Sequence, residues 1–181
     1  MEKKLIIFTD IGGTIIDEST EVRKVQYGVV YSAECIPGAK ETLLELYNRG
    51  HIIAMVADGL EESFHNTMEE NGLDHVFKAW VISEKLKVEK PSPIMFQTAM
   101  DRLGLTDADK DRIIMLGNNL SRDITGANRF GIRSVHIDWA ENYPKVPSNP
   151  DEVPTWVIHE PLELLPLAEQ IEKELEGAEA S

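Results

Sequence analysis

Short apolar runs alternate along this chain with longer stretches of helical periodicity. Residues 5–8, 52–56, 113–116, 134–137 and 156–158 are nearly continuous in apolar character. Strands covered on both faces read this way, whereas half-solvated strands alternate apolar and polar positions. Between them lie segments with helix boundaries. Residues 38–48 follow Pro37 and stop before Gly50. Residues 60–70 stop at Asn71 and Gly72, and residues 121–130 stop at Gly131. Residues 92–103 have Pro91 and Pro93 near their start and Gly104 at their end. Proline early and glycine late is the asymmetry expected of helices. Residues 162–175, entered around Pro161 and Pro166, are expected to form the last helix, and residues 77–82 add a strand-like run. The alternation predicts an α/β fold with a doubly wound, mainly parallel sheet.

Other stretches break the pattern. Residues 139–154 contain Pro144, Pro147, Pro150 and Pro154, which predicts an irregular but tethered loop. The tail, residues 176–181, is expected to fray. No internal repeat or low-complexity block is evident, so residues 1–181 are expected to form a single domain, a length sufficient for one well-buried core.

Charge narrows the partners. The formal net charge is −14, which opposes binding to nucleic acid or to an anionic membrane surface. A small phosphorylated molecule or other anionic substrate held in a locally positive pocket stays compatible with it. Cys35 is the only cysteine, so no intramolecular disulfide can form, and a reducing compartment is expected. No apolar run approaches the roughly 18 residues of a membrane span. The expectation is a cytoplasmic protein without membrane contact.

Three segments carry candidate chemistry. The first apolar run leads into Asp10, followed by Gly12, Gly13 and Thr14. A carboxylate at the C-terminal end of a parallel strand faces the ligand crevice and can act as a nucleophile. The glycines let backbone approach a phosphate, and Thr14 could add a hydroxyl donor. Lys90, just before a helix, adds a point charge near free backbone donors, an arrangement suited to phosphate. The run 114–116 ends at Gly117, Asn118 and Asn119, with Asp123 on the first turn of the next helix. Oxygen ligands at strand ends beside Asp10 suit a hard cation such as Mg²⁺. Each has a plainer reading: Asp10 capping a turn, Lys90 exposed, and Asn119 or Ser121 as a helix N-cap with Asp123 favoured by the dipole. The Asp10–Thr14 letters also resemble the first phosphate loop of sugar kinases with the actin-like fold. That fold needs two large domains and further glycine-rich loops, for which this chain is too short.

In this order and spacing, the segments resemble the haloacid dehalogenase (HAD) superfamily, most of whose members are Mg²⁺-dependent phosphatases. The resemblance runs from residue 5 to about residue 167. It rests on Asp10 with Gly13 and Thr14, the strand ending at Ala57, Asp58 and Gly59, Lys90 with Pro91, and Gly117 and Asn118 through Asp123, Gly126 and Ala127. It implies Asp10 as the nucleophile that accepts the phosphoryl group and Lys90 as the neutralising lysine. It implies Asp10, the Gly12 carbonyl, Asn118 and Asp123 as Mg²⁺ ligands. Ala57 stands where the family has a phosphate-binding Ser or Thr, leaving the backbone donors of Asp58 and Gly59.

Departures from the family pattern shape the expected activity. The acid–base Asp two residues after the nucleophile is Gly12 here, and general acid–base catalysis is typically worth about 10²–10⁴ in rate. Asn118 replaces an acid by an amide. The expected function is therefore a phosphatase-type hydrolase, slow on ordinary phosphomonoesters, with Asp17 and Asp58 close enough in sequence to take over proton transfer. The alternatives are a non-catalytic binding module that keeps the fold, and dehalogenase-type hydrolysis, whose halide leaving group needs no proton. Neither gap between the motifs holds a cap domain. Uncapped relatives have open sites suited to larger substrates or to closure by a partner subunit, so a homo-oligomer is compatible. Residues 18–33, with Tyr27 and Tyr31, are expected to form a flap over Asp10. The histidines show no metal spacing, and Trp139 lies near the expected active-site edge while packing on its own loop.

Overall fold

The computed structural model describes residues 4–181. Strand β1 (Ile6–Thr9) is followed by the small antiparallel pair β2 (Val22–Arg23) and β3 (Val30–Ser32), then helix α1 (Ala39–Asn48) and β4 (Ile52–Ala57). Next come α2 (Glu61–Glu70), β5 (Phe77–Ile82), the short α3 (Ser83–Leu86), α4 (Pro93–Leu103) and β6 (Ile113–Gly117). The chain closes with α5 (Thr125–Phe130), β7 (Arg133–Ile137), β8 (Trp156–Ile158) and α6 (Leu164–Glu179).

Six strands form one parallel sheet in the order β5-β4-β1-β6-β7-β8. The chain adds β4 and β5 on one side of β1, then β6, β7 and β8 on the other. This reversal creates a crevice at the C-terminal end of β1, where open α/β sheets bind ligands. Register aligns the edge: Thr9 lies opposite Met55 of β4 and Leu116 of β6. β4 and β6 run on to Ala57 and Gly117, so the residues that follow the three strands lie within two positions of one another along this edge.

Alternation along the strands divides the core between two faces. Leu5, Ile7, Ile53, Met55, Ile114 and Leu116 pack with α1, α2 and α6 through Leu43, Leu46, Phe64, Met68 and Ile171. Ile6, Phe8, Ala54, Val56, Ile113 and Met115 pack with α4 and α5 through Phe96, Met100 and Ala127. With both faces covered, period-two polarity disappears from the strand sequences, which explains their continuous apolar character.

The helix ends follow their local chemistry. Ser92 caps α4 by accepting from the Ile94 N–H, Pro93 occupies its first turn, and Gly104 closes it at φ +67°, a left-handed conformation that favours glycine. Residues 121–130 form a less regular element than expected. A π-helical stretch over Leu120–Ile124 precedes α5, with the Asn119 side chain accepting from the Ser121 and Arg122 N–H groups. The tail expected to fray continues as helix through Glu179. The proline-bearing loop is tethered as expected: the Asn128 amide donates to the Asp151 and Val153 carbonyls at 2.8 Å.

No cap domain is inserted between these elements. Only β2, β3 and α1 separate β1 from β4, and α2, β5 and α3 separate β4 from α4. Among the described residues, no helix is long and apolar enough to cross a membrane.

Candidate active site

Asp10 follows β1 directly, and its N–H donates to the Leu116 carbonyl at 2.9 Å, fixing it between β1 and β6. Its carboxylate lies in a cleft lined by Gly12, Glu18, Asp58, Lys90, Asn118, Asn119, Arg122, Asp123 and Tyr143. The strand ends, the Gly117–Asp123 turn and Lys90 therefore converge, as the sequence suggested.

Lys90 is the centre of the arrangement. Its Nζ lies 3.0 Å from Asp10 Oδ1 and 2.7 Å from Asp123 Oδ1, and it donates to the Val56 carbonyl at 2.7 Å. An ammonium has three N–H donors, and three acceptors surround this one. Lys90 and Asp123 are each 1% exposed at the side chain, whereas Asp10 is 15% exposed, open towards the cleft. The plain reading of Lys90 as a surface lysine is therefore excluded. Lys90 precedes α4, which starts at Pro93, but its ammonium is engaged by the two carboxylates and the Val56 carbonyl rather than set beside free helix donors.

Electrostatics follow from this burial. Loss of hydration pushes the Asp10 carboxyl up to about 6; the Asp123 charge adds to the rise, and Lys90 opposes it. For Lys90 burial alone would favour the neutral amine, but the carboxylates of Asp10, Asp123 and Asp58 overcome it and hold the ammonium above its usual range. Lys90 stays charged, and Asp10 is mainly a carboxylate at neutral pH.

Asp123 is positioned from both sides, since its Oδ2 accepts the Asn119 N–H at 3.0 Å while Lys90 takes Oδ1. Gly117 makes room for it: a Cβ there would sit 2.3 Å from Asp123 Cγ. Asn118 is buried, and neither its Oδ1 nor its Nδ2 has a hydrogen-bond partner among the described residues. Its main-chain carbonyl lies 3.3 Å from His136 Nε2.

The other expected site residues divide. Asp58 lines the cleft, with Oδ1 accepting the Lys90 N–H at 3.0 Å and Oδ2 lying 3.5 Å from Arg122 Nη1. Burial raises its carboxyl, with Lys90 opposing. Thr14 and Ala57 are fully buried and are not among the cleft-lining residues. The Gly59 N–H expected to face a phosphate donates instead to Ser83 Oγ at 2.9 Å. Asp17 does not reach the cleft either. It caps the turn over Glu18–Thr20 by accepting from the Ser19 N–H and hydroxyl.

Three cleft residues were not singled out from the sequence. Arg122 reaches the cleft from the π-helical stretch and pairs with Asp58 and with Glu89 at 3.2 Å. Tyr143 comes from the proline-bearing loop, and burial raises its hydroxyl above the usual range. Glu18 sits against Gly12 and accepts from Asn142 Nδ2 at 3.1 Å. Burial raises its carboxyl, and the charges of Glu21 and Asp10 add to the rise against the Asn142 hydrogen bond. Only Arg122 carried a usable signal, one position before Asp123. Residues 18–33 do not form the expected flap over Asp10: only Glu18 of them lines the cleft, β2 and β3 form a hairpin whose β3 is hydrogen-bonded to α2 through Ser63 and Asn66, Tyr27 is exposed between the two strands and Tyr31 lies under Lys24 Nζ.

A family model described as haloacid dehalogenase-like hydrolase matches residues 16–137. The chain belongs to this family. A glyceraldehyde 3-phosphate phosphatase of Methanopyrus kandleri is 34% identical over 138 residues, covering 76% of this chain and 58% of that protein. An (S)-2-haloacid dehalogenase 4A of Burkholderia cepacia is 32% identical, covering 60% of this chain and 46% of that protein. The chain thus spans about half the length of these HAD relatives. A solved HAD phosphatase from Thermococcus onnurineus has the same fold, with a TM-score of 0.73 at 17% identity, covering 91% of this chain and 97% of that one.

Oxygen donors of the kind a hard cation takes line this HAD-like cleft. Asp10, the Gly12 carbonyl and the unpartnered Asn118 Oδ1 supply that chemistry. Asp123, expected as a ligand, already has both oxygens engaged, by Lys90 and by the Asn119 N–H. Among the described residues no group of three or more His, Cys, Asp or Glu is placed to hold a metal ion.

Proposed function

We propose that this chain is a phosphatase-type HAD hydrolase acting on a small phosphorylated molecule, with Asp10 as nucleophile. The observation that carries this reading is the burial of Lys90 between Asp10 and Asp123 at the C-terminal edge of β1. Lys90 keeps Asp10 ionised, holds its carboxylate in one orientation and offers positive charge where a phosphoryl group would enter. Asp123 fixes Lys90. Arg122 adds a guanidinium at the same cleft, suited to phosphate oxygens.

In this reading an Asp10 oxygen attacks phosphorus while the bond to the leaving oxygen breaks. Water then attacks the same phosphorus and releases phosphate and the Asp10 carboxylate. Asp10, the Gly12 carbonyl and Asn118 would hold Mg²⁺, which would supply positive charge against the phosphoryl oxygens. Gly12 has no proton to give, so aryl and acyl phosphates, whose leaving groups are stable as anions, suit the first step best.

The experiment is aryl phosphate hydrolysis with and without Mg²⁺, with Asp10→Asn as control. Mg²⁺-dependent turnover lost in Asp10→Asn supports the reading; turnover at the Asp10→Asn level removes it. A second reading, a non-catalytic binding module, draws on the neutral Asn118 and on the Gly59 N–H being taken by Ser83. Calorimetric binding of Mg²⁺ and a phosphate mimic without turnover would favour it.

A further inference from the structure

Gly12 leaves space beside Asp10, and another side chain fills it. A Cβ built on Gly12 would lie 3.1 Å from Glu18 Cδ, 3.3 Å from its Oε1 and 3.3 Å from its Oε2. The Glu18 carboxyl group therefore lies in tight contact with the point where a side chain at position 12 would begin. Both residues line the same cleft as Asp10.

The placement is built from several directions. The chain folds back after Gly12, with the Gly13 N–H donating to the Ile16 carbonyl at 2.8 Å. The Asp17 N–H then donates to the Glu34 carbonyl at 2.9 Å, and the Asp17 side chain caps the turn that Glu18 starts. From the opposite side Asn142 Nδ2 holds Glu18 Oε1 at 3.1 Å. A carboxyl group so held still has a second oxygen for a substrate. The rival carboxylates are committed elsewhere: Asp58 to the Lys90 N–H and Arg122, and Asp17 to Ser19.

We propose that Glu18 is the acid–base residue of this chain, replacing from position 18 the function missing at position 12. This inference rests on the phosphatase reading. As Asp10 bonds to phosphorus and the ester P–O bond breaks, the Glu18 carboxylic acid gives its proton to the leaving oxygen. As water then bonds to phosphorus and the Asp10–phosphorus bond breaks, the Glu18 carboxylate takes a proton from that water. The residue returns to its starting form, and the net change is one ester and one water converted to an alcohol and phosphate.

The test compares wild type, Glu18→Gln and Asp10→Asn on an aryl and an alkyl phosphate. Glu18→Gln keeps size and the Asn142 contact, and a thermal unfolding curve checks that it is folded. Its alkyl phosphate kcat/KM should fall by about 10²–10⁴. Its aryl phosphate reaction should keep a fast first turnover and then stall, giving a burst of the aryl alcohol that wild type lacks. Gly12→Asp in a Glu18→Ala background should regain alkyl phosphate activity relative to Glu18→Ala alone. Equal loss on both substrates without a burst, or no loss at all, overturns the assignment while leaving Asp10 chemistry intact. Turnover unaffected by Asp10→Asn overturns the phosphatase reading and this inference with it.

Discussion

Replacing Lys90 by methionine keeps most of the side chain's length and apolar stem, so little cavity is expected. What it removes is the positive charge 3.0 Å from Asp10 and 2.7 Å from Asp123. Removing one partner of a buried ion pair typically costs about 3–5 kcal/mol, because the remaining charge stays buried without compensation. Here two carboxylates lose it, but Asp10 is 15% exposed and can be hydrated from the cleft, so the same range applies rather than twice it. That is a large share of the roughly 5–15 kcal/mol by which domains are stable. With a urea slope of about 2 kcal/mol/M, the midpoint at pH 7 should fall by about 2 M. The penalty should shrink at lower pH. Without Lys90 the folded-state pKa of Asp10, already raised by burial, rises further above its unfolded value, so the cost is present above that folded value and relieved as pH falls through it. Adding Asp123→Asn to Lys90→Met should restore about 1–3 kcal/mol. A midpoint change below about 0.5 M at pH 7, with no recovery in the double variant, would refute the claim that Lys90 is held by buried carboxylates.

Other outcomes follow from the same geometry. Gly117→Ala should displace Asp123, since the new methyl would lie 2.3 Å from its Cγ; activity should drop with Lys90 left unsupported, measured as kcat/KM on an aryl phosphate. Gly126→Ala should cost about 1–3 kcal/mol by overpacking, because the added carbon would meet Phe96 Cε2 at 2.6 Å and Pro91 Cα at 3.2 Å; urea unfolding reads this directly. With the Asp10 carboxyl raised to about 6, kcat/KM should fall as pH drops below about 6, where the nucleophile is protonated. Raising the Mg²⁺ concentration should move that acidic limb to lower pH, because a cation beside Asp10 favours the carboxylate.

The sheet was legible because parallel strands buried on both faces need continuous apolar runs, and β1, β4 and β6 stand out in this way. Asp10, Asn118 and Asp58 were legible because each lies just past such a strand, at the same edge of the sheet. What stayed hidden depended on return paths of the backbone. Glu18 reaches Gly12 only through the turn at residues 13–17, whose course no residue spacing reveals. Thr14 looked like a phosphate donor, yet that same turn buries it. Gly59 looked like a free donor because nothing in the local sequence shows Ser83, at the start of α3, arriving to accept its N–H. The tail misread had a simpler origin. Its last residues are polar and charged, but α6 is already anchored by Leu164, Ala168 and Ile171 and carries the helix through Glu179.

The central claim, that Asp10 is a phosphoryl acceptor, is tested most directly by acid-quenching the protein during aryl phosphate turnover with Mg²⁺ and mapping phosphoryl groups by peptide mass spectrometry. The account predicts an acid-stable, hydroxylamine-sensitive phosphoryl group on the peptide containing Asp10, absent in Asp10→Asn. Turnover that proceeds without any such adduct, and undiminished in Asp10→Asn, would contradict it.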